Sequence, residues 1–491
     1  MNRLVSSYRG SPAARMFSLR IGFVLALAAT LTGCAVGPKY HRPVAKLEPF
    51  HNAPSIEART TSISAAPLDQ WWTGFRDPEL TRIVKRALDQ NLDLSAAMTR
   101  VQQARAAAQG AGARRMPSGN LYASTTTLYQ STESMTGRLA SHLPGYNRTQ
   151  NYYDLGFTAS WETDLFGGLK KGAQAATAEA QAAEALHSGT RISVAAEAAD
   201  AYMQIRGAQA RLIFAKDQIA TDEHLVELVQ KRKDAGVASD RELAQAQALL
   251  SQAMATIPLL TVSLEAQLNR LDVLMGAQPG TYAAELTPVI DIPDVPEISG
   301  FGTATDLLRR RPDIIAAERM IAASNARIGQ ALAEYYPKLS LSGIVGSQAL
   351  APTHLFEQQG FQPVSVVGLR WRLFDFGRVA AEVEGARGAN AEALLQYRSS
   401  VLHAAEDVED AFSLLVQSEN RRNEILREID ELQRVRDLSE QSYTAGVIAL
   451  TDVLDADRQL LAAKDELAVA RENSARAAIG SYRALGGGWL P

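Results

Sequence analysis

Two very long, uninterrupted helical stretches limit what this chain can fold into. They cover about 168–233 and 378–443 and contain no proline, and about a quarter of the first is alanine. Alanine favours the α-helix and lets neighbouring helices approach each other closely. At 1.5 Å per residue each stretch would be roughly 100 Å long. Helices of that length are typical of rods or tunnels and exceed what a compact domain uses.

The chain is a tandem duplication, and each long stretch belongs to one copy. Matching segments keep a constant offset before the strands and a slightly smaller constant offset from the second strand onward. With the larger offset, residues 91–97 match 311–317 and residues 116–117 match 336–337. With the smaller offset, residues 161–167 match 371–377, residues 200–202 match 410–412 and residues 235–237 match 445–447. We predict repeats over 79–280 and 303–488, joined by a proline-rich linker over 281–302.

Both repeats are predicted to have the same order of elements. A helix (about 79–115 or 303–335) precedes two β-strands, a long helix and a shorter return helix. Alternation with period two indicates the strands. The apolar faces are formed by Leu155, Phe157, Ala159 and Trp161 in the first repeat and by Val367, Leu369, Trp371 and Leu373 in the second. A capping box at Ser239–Glu242 is expected to begin the first return helix, and Thr451 is the expected N-cap of the second.

The first 33 residues are predicted to be a signal peptide. Four arginines precede an apolar run from Ile21 to Leu31, which is too short to span a bilayer. The run ends in Leu31-Thr-Gly-Cys34, which resembles the lipobox of bacterial lipoproteins, so Cys34 is expected to be acylated. Ala35 follows, where many bacteria use aspartate for inner-membrane retention, and this implies the outer membrane. The alternative is an ordinary secretory signal with an incidental cysteine.

The composition argues against most other classes of protein. The single cysteine excludes an internal disulfide framework, and the seven histidines show no metal-ligand spacing. Cleavage before Cys34 would leave a charge of −8, so there is no basic excess for nucleic acid. No later uninterrupted apolar run is long enough to cross a bilayer, so no transmembrane helix is expected in the mature chain. Neither a cofactor nor an enzymatic activity is predicted.

Four strands of about ten residues are long enough to span a membrane but too few to form a barrel. Because a bilayer does not tolerate unpaired sheet edges, several copies would have to share one barrel, and three copies would supply twelve strands. The alternative is two soluble hairpins, each packed on a helix bundle. The pattern alone is consistent with both the shared barrel and the soluble hairpins. The predicted location in the outer membrane favours the barrel.

Several motifs resemble those of the NodT-type lipoproteins within the TolC-like outer-membrane factors. They are Val36–Pro43, Trp71–Leu80, Arg310–Asp313, Leu373–Gly377, Ala445-Gly446 and Asp452–Ala456. The resemblance implies a fold that is mainly α with a membrane β part: a trimeric 12-stranded β-barrel continuous with a long 12-helix periplasmic α-barrel. Residues 34–78 would be the lipid-anchored N-terminal segment and equatorial region, and 489–491 a C-terminal tail. Trp71 and Trp72 are expected to pack within this region.

The resemblance also implies a gate at the periplasmic end of the tunnel. The gate motif falls on Tyr443, Asp452 and Asp455. Carboxylates three residues apart share one helix face, so three chains would place six acids around a narrow bore. The alternative is that the acids only interact favourably with the helix dipole. Ile448 stands where some relatives have arginine, so a salt bridge from that position is not expected.

Two further groups of residues have candidate roles. Gly236-Val237 and Gly446-Val447 lie at the two hairpin tips, where the family docks an adaptor protein; the glycines would also end the helices. Tyr153, Trp161 and Trp371 are expected at the barrel interface or in the strand core.

The sequence therefore predicts an outer-membrane exit channel of a tripartite efflux system. Its partners would be two further copies of the chain, a periplasmic adaptor, an inner-membrane transporter that is expected to be proton-driven, and outer-membrane lipid, with no nucleic acid. The alternative is a non-conducting structural envelope lipoprotein with coiled-coil rods. A periplasmic hydrolase is a weaker alternative, because the chain has no Gly-x-Ser-x-Gly elbow.

Overall fold

The computed structural model describes residues 35–44, 47–59, 66–298 and 303–487. The expected signal peptide, Cys34 and the expected tail at 489–491 lie outside these residues. The chain divides into two units, and each draws on both repeats. The first contains Met1–Arg42, Gln103–Ala180 and Arg319–Leu394; the second contains Pro43–Gln102, Gln181–Glu318 and Leu395–Pro491.

Both repeats contain two helices, two strands, a long helix and a return helix in that order; one short helix precedes the first repeat, and another lies between the strands of the first repeat alone. The first half contains α1 Ala53–Glu57, α2 Pro78–Gln90, α3 Leu92–Ala113, β1 Ser118–Tyr129, α4 Met135–Ala140, β2 Thr149–Glu162, α5 Gly168–Asp234 and α6 Asp240–Leu274. The second contains α7 Ala304–Arg310, α8 Pro312–Ala333, β3 Lys338–Ala349, β4 Val364–Arg370, α9 Arg378–Thr444 and α10 Leu450–Ala484. Short 3-10 helices lie at Leu68–Phe75, Ala283–Leu286, Pro352–Phe356 and Gln358–Gly360.

The first helix of each repeat is broken in two, so the single helices predicted over about 79–115 and 303–335 were wrong. Asn91 is extended, its side-chain oxygen accepts the Leu94 N–H at 2.9 Å, and its amide donates to the Leu274 carbonyl at 2.9 Å. Asn91 therefore ends α2 and caps α3. In the second repeat Arg311 is extended because a residue before proline avoids the helical region, and Pro312 begins α8.

The four strands form one antiparallel sheet in the order β1-β2-β3-β4. Leu121 of β1 lies opposite Phe157 of β2, and Phe157 lies opposite Val345 of β3. These three side chains are exposed, as is Val367 of β4. The sheet thus has an apolar face that nothing in the described chain covers. The fourth strand is shorter than the alternation suggested: β4 ends at Arg370.

Aromatic packing forms part of the core of the second unit. Trp71 is completely buried, stacks on Tyr482 with ring centroids 5.2 Å apart, and meets Trp72 edge-on at 5.7 Å. Full burial of such rings contributes several kcal/mol through apolar area and aromatic geometry. Trp71 and Trp72 therefore hold the Leu68–Phe75 segment against α10, as expected for packing residues.

A buried polar network ties α2 and the linker to α5. Arg206 is buried and donates to the Pro288 carbonyl at 2.6 Å, and Tyr202 donates to the Asp77 carboxylate at 2.5 Å. Asp77 also caps α2, accepting the Glu79 N–H at 2.8 Å. Burial raises the pKa of Tyr202, so its hydroxyl stays protonated and able to donate.

Among the described helices, α6 is long and apolar enough to cross a membrane by length and composition. The expectation of no such helix rested on uninterrupted apolar runs, and α6 passes because residues 243–264 carry no charge although polar residues interrupt them. The helix begins with the predicted Ser239 capping box and packs Ala246 against Leu225 and Val229 of α5. These contacts are those of a helix in a hairpin.

Candidate functional site at the hairpin ends

The two helical hairpins end in turns of the same geometry. Gly236 and Gly446 have φ of 77° and 73°, a conformation that favours glycine. In the first turn the Val237 N–H donates to the Arg232 carbonyl at 2.9 Å, and in the second the Val447 N–H donates to the Ser442 carbonyl at 2.9 Å. This is the Schellman motif, which ends a helix and satisfies its last carbonyls. The glycines therefore have the structural role that the sequence indicated.

The valine after each glycine has no packing role in the described protomer. In a Schellman motif an apolar residue at this position usually contacts the preceding helix. Here Val237 is 65% exposed and Val447 is 76% exposed. Both tips thus present an aliphatic side chain to the surroundings on a rigid turn.

The second return helix begins two residues earlier than predicted. Its N-cap is Ala449, so the assignment of Thr451 as N-cap was wrong. Alanine has no side-chain acceptor, and the Asp452 carboxylate accepts the Ala449 N–H at 3.2 Å instead. Asp452 therefore stabilises the first turn of α10 in the protomer.

Asp455 lies one turn further along α10. Its carboxylate accepts from Arg458 at 2.7 Å and from the Gln459 amide at 2.7 Å. The pair is exposed, with 52% of the Asp455 and 66% of the Arg458 side chain accessible, so it contributes at most about 1 kcal/mol to folding. The interaction orients the carboxylate more than it stabilises the helix.

Tyr443, at the end of α9, contacts the first hairpin. Arg232 of α5 donates to the Tyr443 hydroxyl, and its guanidinium carbon lies 5.6 Å from the ring centroid. Sequence reasoning missed Arg232, because it is 211 residues from Tyr443 and no local pattern joins them.

A cleft of about 740 Å³ lies between the two hairpins in the second unit. Arg232, Tyr443, Ile448, Asp455 and Arg458 are among the residues that line it. The structure thus brings together two of the three expected gate residues. The third, Asp452, is not part of the cleft lining in the described residues.

The three predicted interface aromatics lie towards opposite ends of the strands. Trp161 donates to the Arg115 carbonyl at 2.9 Å, and Trp371 donates to the Tyr335 carbonyl at 3.0 Å. Each indole thus joins the end of a β-hairpin to a residue that lies just before the first strand of the same hairpin. Tyr153 lies near the other end of β2. Aromatic residues at both ends of an apolar face are typical of strands that cross a membrane.

In the described residues no group of three or more His, Cys, Asp or Glu side chains could hold a metal ion. Arg232, Asp455 and Arg458 give the cleft its charged contacts, and Tyr443 gives it an aromatic one.

Comparison with known proteins identifies the family. The sequence profile of outer membrane efflux proteins matches residues 83–277 and 304–487, which is most of the chain. The chain belongs to the outer membrane efflux protein family.

The relatives in this family cover almost the whole chain. The pyoverdine export outer membrane protein OpmQ of Pseudomonas aeruginosa is 31% identical over 428 residues, covering 87% of this chain and 88% of OpmQ. Nodulation protein T of Rhizobium leguminosarum bv. viciae is 28% identical over 483 residues, covering 96% and 94%. The solved outer-membrane channel OprN is 31% identical, with a TM-score of 0.83 over 93% of this chain and 100% of that one.

These likenesses confirm two predictions. The fold is that of the TolC-like outer-membrane channels, mainly helical with a β part built from a tandem repeat. The protein is an outer-membrane efflux component and lies in the outer membrane. Its family consists of transport proteins.

Proposed function

We propose that this protein is the exit channel of a tripartite efflux system, a passive trimeric duct. The observation that carries the proposal is the four-stranded sheet, whose apolar face is exposed and whose outer strands β1 and β4 each have one partner in the described chain. Such a sheet is stable in lipid only if its edges are paired. Three copies give a closed barrel of twelve strands, and the 67-residue helices α5 and α9 would line the tunnel.

The lipid anchor is part of this proposal. The Val36 N–H donates to the Phe166 carbonyl at 3.1 Å, so the chain just after Cys34 lies beside the turn between β2 and α5. Gly37 packs closely on Gly329: a side chain at Gly37 would come within 2.5 Å of the Gly329 Cα, so this position has no room for one. An acylated Cys34 would therefore enter the membrane at the Trp161 end of the sheet. Two or more acyl chains hold a protein firmly in a bilayer.

The partners follow from the family. A tripartite system joins the channel to a periplasmic adaptor and an inner-membrane transporter, for which a proton-driven pump is the proposed class. OpmQ is named for pyoverdine export and NodT for nodulation. For this chain we propose small molecules selected by the pump, because a broad duct has little means of selecting them.

Tyr443, Asp452 and Asp455 form the proposed gate. Asp455 and Tyr443 line one cleft, and three chains would bring three such clefts around the axis. A ring of carboxylates in a narrow pore favours cations and can hold the pore shut through bonds to neighbouring helices.

Purified trimer in planar bilayers is expected to conduct ions in discrete steps. A closed twelve-stranded barrel encloses a water-filled bore, whereas a structural strut would pass no current. The measurement is single-channel conductance. A stable trimer that never conducts, even with the gate acids replaced, would favour the envelope strut.

The hairpin tips are expected to dock the adaptor. The double change Val237→Asp and Val447→Asp should lower efflux at least several-fold, because a charge replaces the apolar contact that each rigid turn offers. Conductance of the purified channel should not change. The control is Val289→Asp, which alters an exposed linker valine. Cross-linking of Gly236→Cys or Gly446→Cys to a co-expressed adaptor measures docking directly. Efflux that is unchanged in the double valine variant would contradict docking at the tips.

A further inference from the structure

A further cleft lies between α5, α6 and α10 in the second unit. Its volume is about 380 Å³, and pockets of about 300–1,000 Å³ are typical of small-molecule sites. Each of the three helices presents an alanine to it, at Ala215, Ala253 and Ala462. Because these side chains are short, the helices leave a space between them that larger residues would fill. We refer to it as the three-helix cleft.

Apolar side chains from all three helices line the three-helix cleft. Phe214 of α5 contributes an aromatic ring, and Leu260 of α6 and Leu461 of α10 contribute aliphatic groups. The α6 helix carries no charge over residues 243–264, so it adds only apolar and uncharged polar groups. The cleft therefore offers contacts to an apolar molecule, and its charged residues come from α5 and α10 alone.

The charged residues of the three-helix cleft are paired, with one exception. Arg211 donates to the two carboxylate oxygens of Asp465 at 2.8 and 3.1 Å. Arg458 donates to the Asp455 carboxylate at 2.7 Å. Each guanidinium group is thus balanced by a carboxylate of its own. The exception is the lining residue Asp222.

Asp222 of α5 is a buried carboxylate without a cation. It is only 6% exposed and accepts a hydrogen bond from the Gln218 amide at 2.7 Å. No arginine or lysine in the described part of the chain pairs with it. The charged group that faces it from α10 is Asp457, which Arg436 of α9 already binds at 3.0 Å. Asp222 is therefore the one net charge that this cleft presents.

The surroundings of Asp222 disfavour its ionised form. Burial raises the pKa of Asp222, and repulsion from Asp457 adds to the rise, while the hydrogen bond from Gln218 lowers the pKa in part. A buried charge without an opposite charge is costly for the folded protein. A cation that binds beside Asp222 would offset this cost.

The repeated fold does not require an acid at this position. With the smaller repeat offset the counterpart of Asp222 is Leu432 in α9. An apolar side chain is thus compatible with the same place in the second long helix. The carboxylate of Asp222 is a feature of the first repeat that the packing of a long helix does not explain.

We propose that the three-helix cleft binds a small organic cation, with its charged group against Asp222 and its apolar body against Phe214 and the leucines. The charge complements the unpaired carboxylate, and the Phe214 ring attracts a cation as well. The volume and the apolar walls suit a molecule that carries aromatic or aliphatic groups. The site is independent of the proposed channel function and goes beyond it.

Other occupants fit the cleft less well. An anion would meet Asp222 while both arginines are already paired. A metal ion would lack ligands, because the described residues contain no group of three or more His, Cys, Asp or Glu side chains that could hold one. A basic side chain of a partner protein would match the charge of Asp222, but it would leave the apolar walls without a use.

Binding of ethidium, a fluorescent aromatic cation, tests the proposal. Fluorescence anisotropy with the purified full chain should show saturable binding. Asp222→Asn keeps the size of the side chain and should weaken binding at least about tenfold, because an ion pair in a buried setting is lost. Asp222→Leu, which introduces the residue type of the second repeat, should weaken it at least as much. Asp217→Asn, at an exposed position of α5, is the matched control and should bind as the wild type does.

Two further measurements examine the space and the charge separately. Ala253→Phe fills the cleft and leaves Asp222 in place, so it should also weaken ethidium binding at least about tenfold. The aromatic anion 8-anilinonaphthalene-1-sulfonate should not compete with ethidium for the wild-type protein. Together these results would require both the cavity and its negative charge.

The affinity for ethidium should fall as the pH falls. Protonation of Asp222 removes the charge that the cation needs, and because its pKa is raised, the loss should begin above the pH range in which an ordinary aspartate titrates. Asp222→Asn should show no such dependence on pH. The measurement is the same anisotropy titration, repeated over a series of pH values.

Each remaining outcome contradicts the proposal. Equal affinity in the wild type and in Asp222→Asn would mean that ethidium binds elsewhere. Binding that is lost in Asp452→Ala but kept in Asp222→Asn would place the cation at the proposed gate. The absence of saturable binding would mean that the purified cleft has no affinity for a free organic cation. The channel function is tested separately by conductance and stands or falls apart from these results.

Discussion

Replacing both Asp452 and Asp455 with alanine is expected to raise the single-channel conductance several-fold and to make the outer membrane leaky to large antibiotics. In the proposed trimer, three chains would lose the six carboxylates of the proposed gate. With them go the hydrogen bond to Ala449 and the contacts to Arg458 and Gln459 that orient the start of α10. The turn that begins the second return helix would then be held less firmly.

The two acids should contribute differently. Asp452→Ala removes the carboxylate that accepts the Ala449 N–H at the start of α10, so the turn should fray. Asp455→Asn keeps the size of the side chain and removes its charge, so it should mainly reduce the preference of the pore for cations. Ion selectivity, measured from reversal potentials, separates these effects.

The control for the gate variants is Asp89→Asn, an exposed acid on α2. It should leave conductance, selectivity and leakiness as they are. If the double alanine variant forms a correct trimer with unchanged conductance, Asp452 and Asp455 are only helix-capping residues. In that case the alternative that the sequence left open is the right one.

The long helices could be predicted almost to the residue, for a physical reason. Each stretch lacks proline, is rich in helix-forming residues and ends at a glycine, so local preferences alone determine its limits. The structure has Gly168–Asp234 and Arg378–Thr444 where about 168–233 and 378–443 were expected. The apolar face of β2 was predicted equally well, because period-two alternation is a local signal, but β4 ends at Arg370, so Trp371 and Leu373 lie beyond the strand they were assigned to.

The helix breaks and caps were harder to predict because they depend on distant groups. Asn91 ends α2 partly through its bond to the Leu274 carbonyl, which is 183 residues away. Thr451 looked like an N-cap by residue type, yet the chain enters the helix at Ala449 because Asp452 supplies the acceptor. Residue preferences do not decide between such neighbouring positions.

The candidate site was found only in part. Tyr443 and Asp455 could be named from a motif, and the structure places both in one cleft. Arg232 could not, because its contact joins α5 to α9 across two repeats. A single sequence contains no signal for such a pairing.

A second contact between distant helices, Glu472 of α10 against Gly207 of α5, leads to the other large effect. Gly207 has no side chain, and the Glu472 carboxylate occupies that space. Only 16% of the Glu472 side chain is accessible. Burial raises its pKa to about 7, and Arg476 and Arg211 offset part of that shift.

Because the pKa of Glu472 is higher in the folded state than its ordinary value of 4.5, its protonated form is the one that favours folding. The stabilisation is complete below pH 4.5 and is lost as the pH rises from there to about 7. The shift corresponds to about 3 kcal/mol, at 1.36 kcal/mol per pH unit. Glu472→Gln carries no charge at any pH and should keep the helices together above pH 7.

The expected result is a pH-dependent difference in the free energy of unfolding between Glu472→Gln and the wild type. It should be near zero at pH 4.5, grow through pH 6 and level off at about 3 kcal/mol above pH 7, as measured by guanidinium titration followed by circular dichroism. Glu466→Gln, on the same helix with 53% of its side chain accessible, is the matched control and should show no such trend. A difference that does not vary with pH would mean that Glu472 is already ionised in the folded protein, and that the space at Gly207 accommodates a charge without cost.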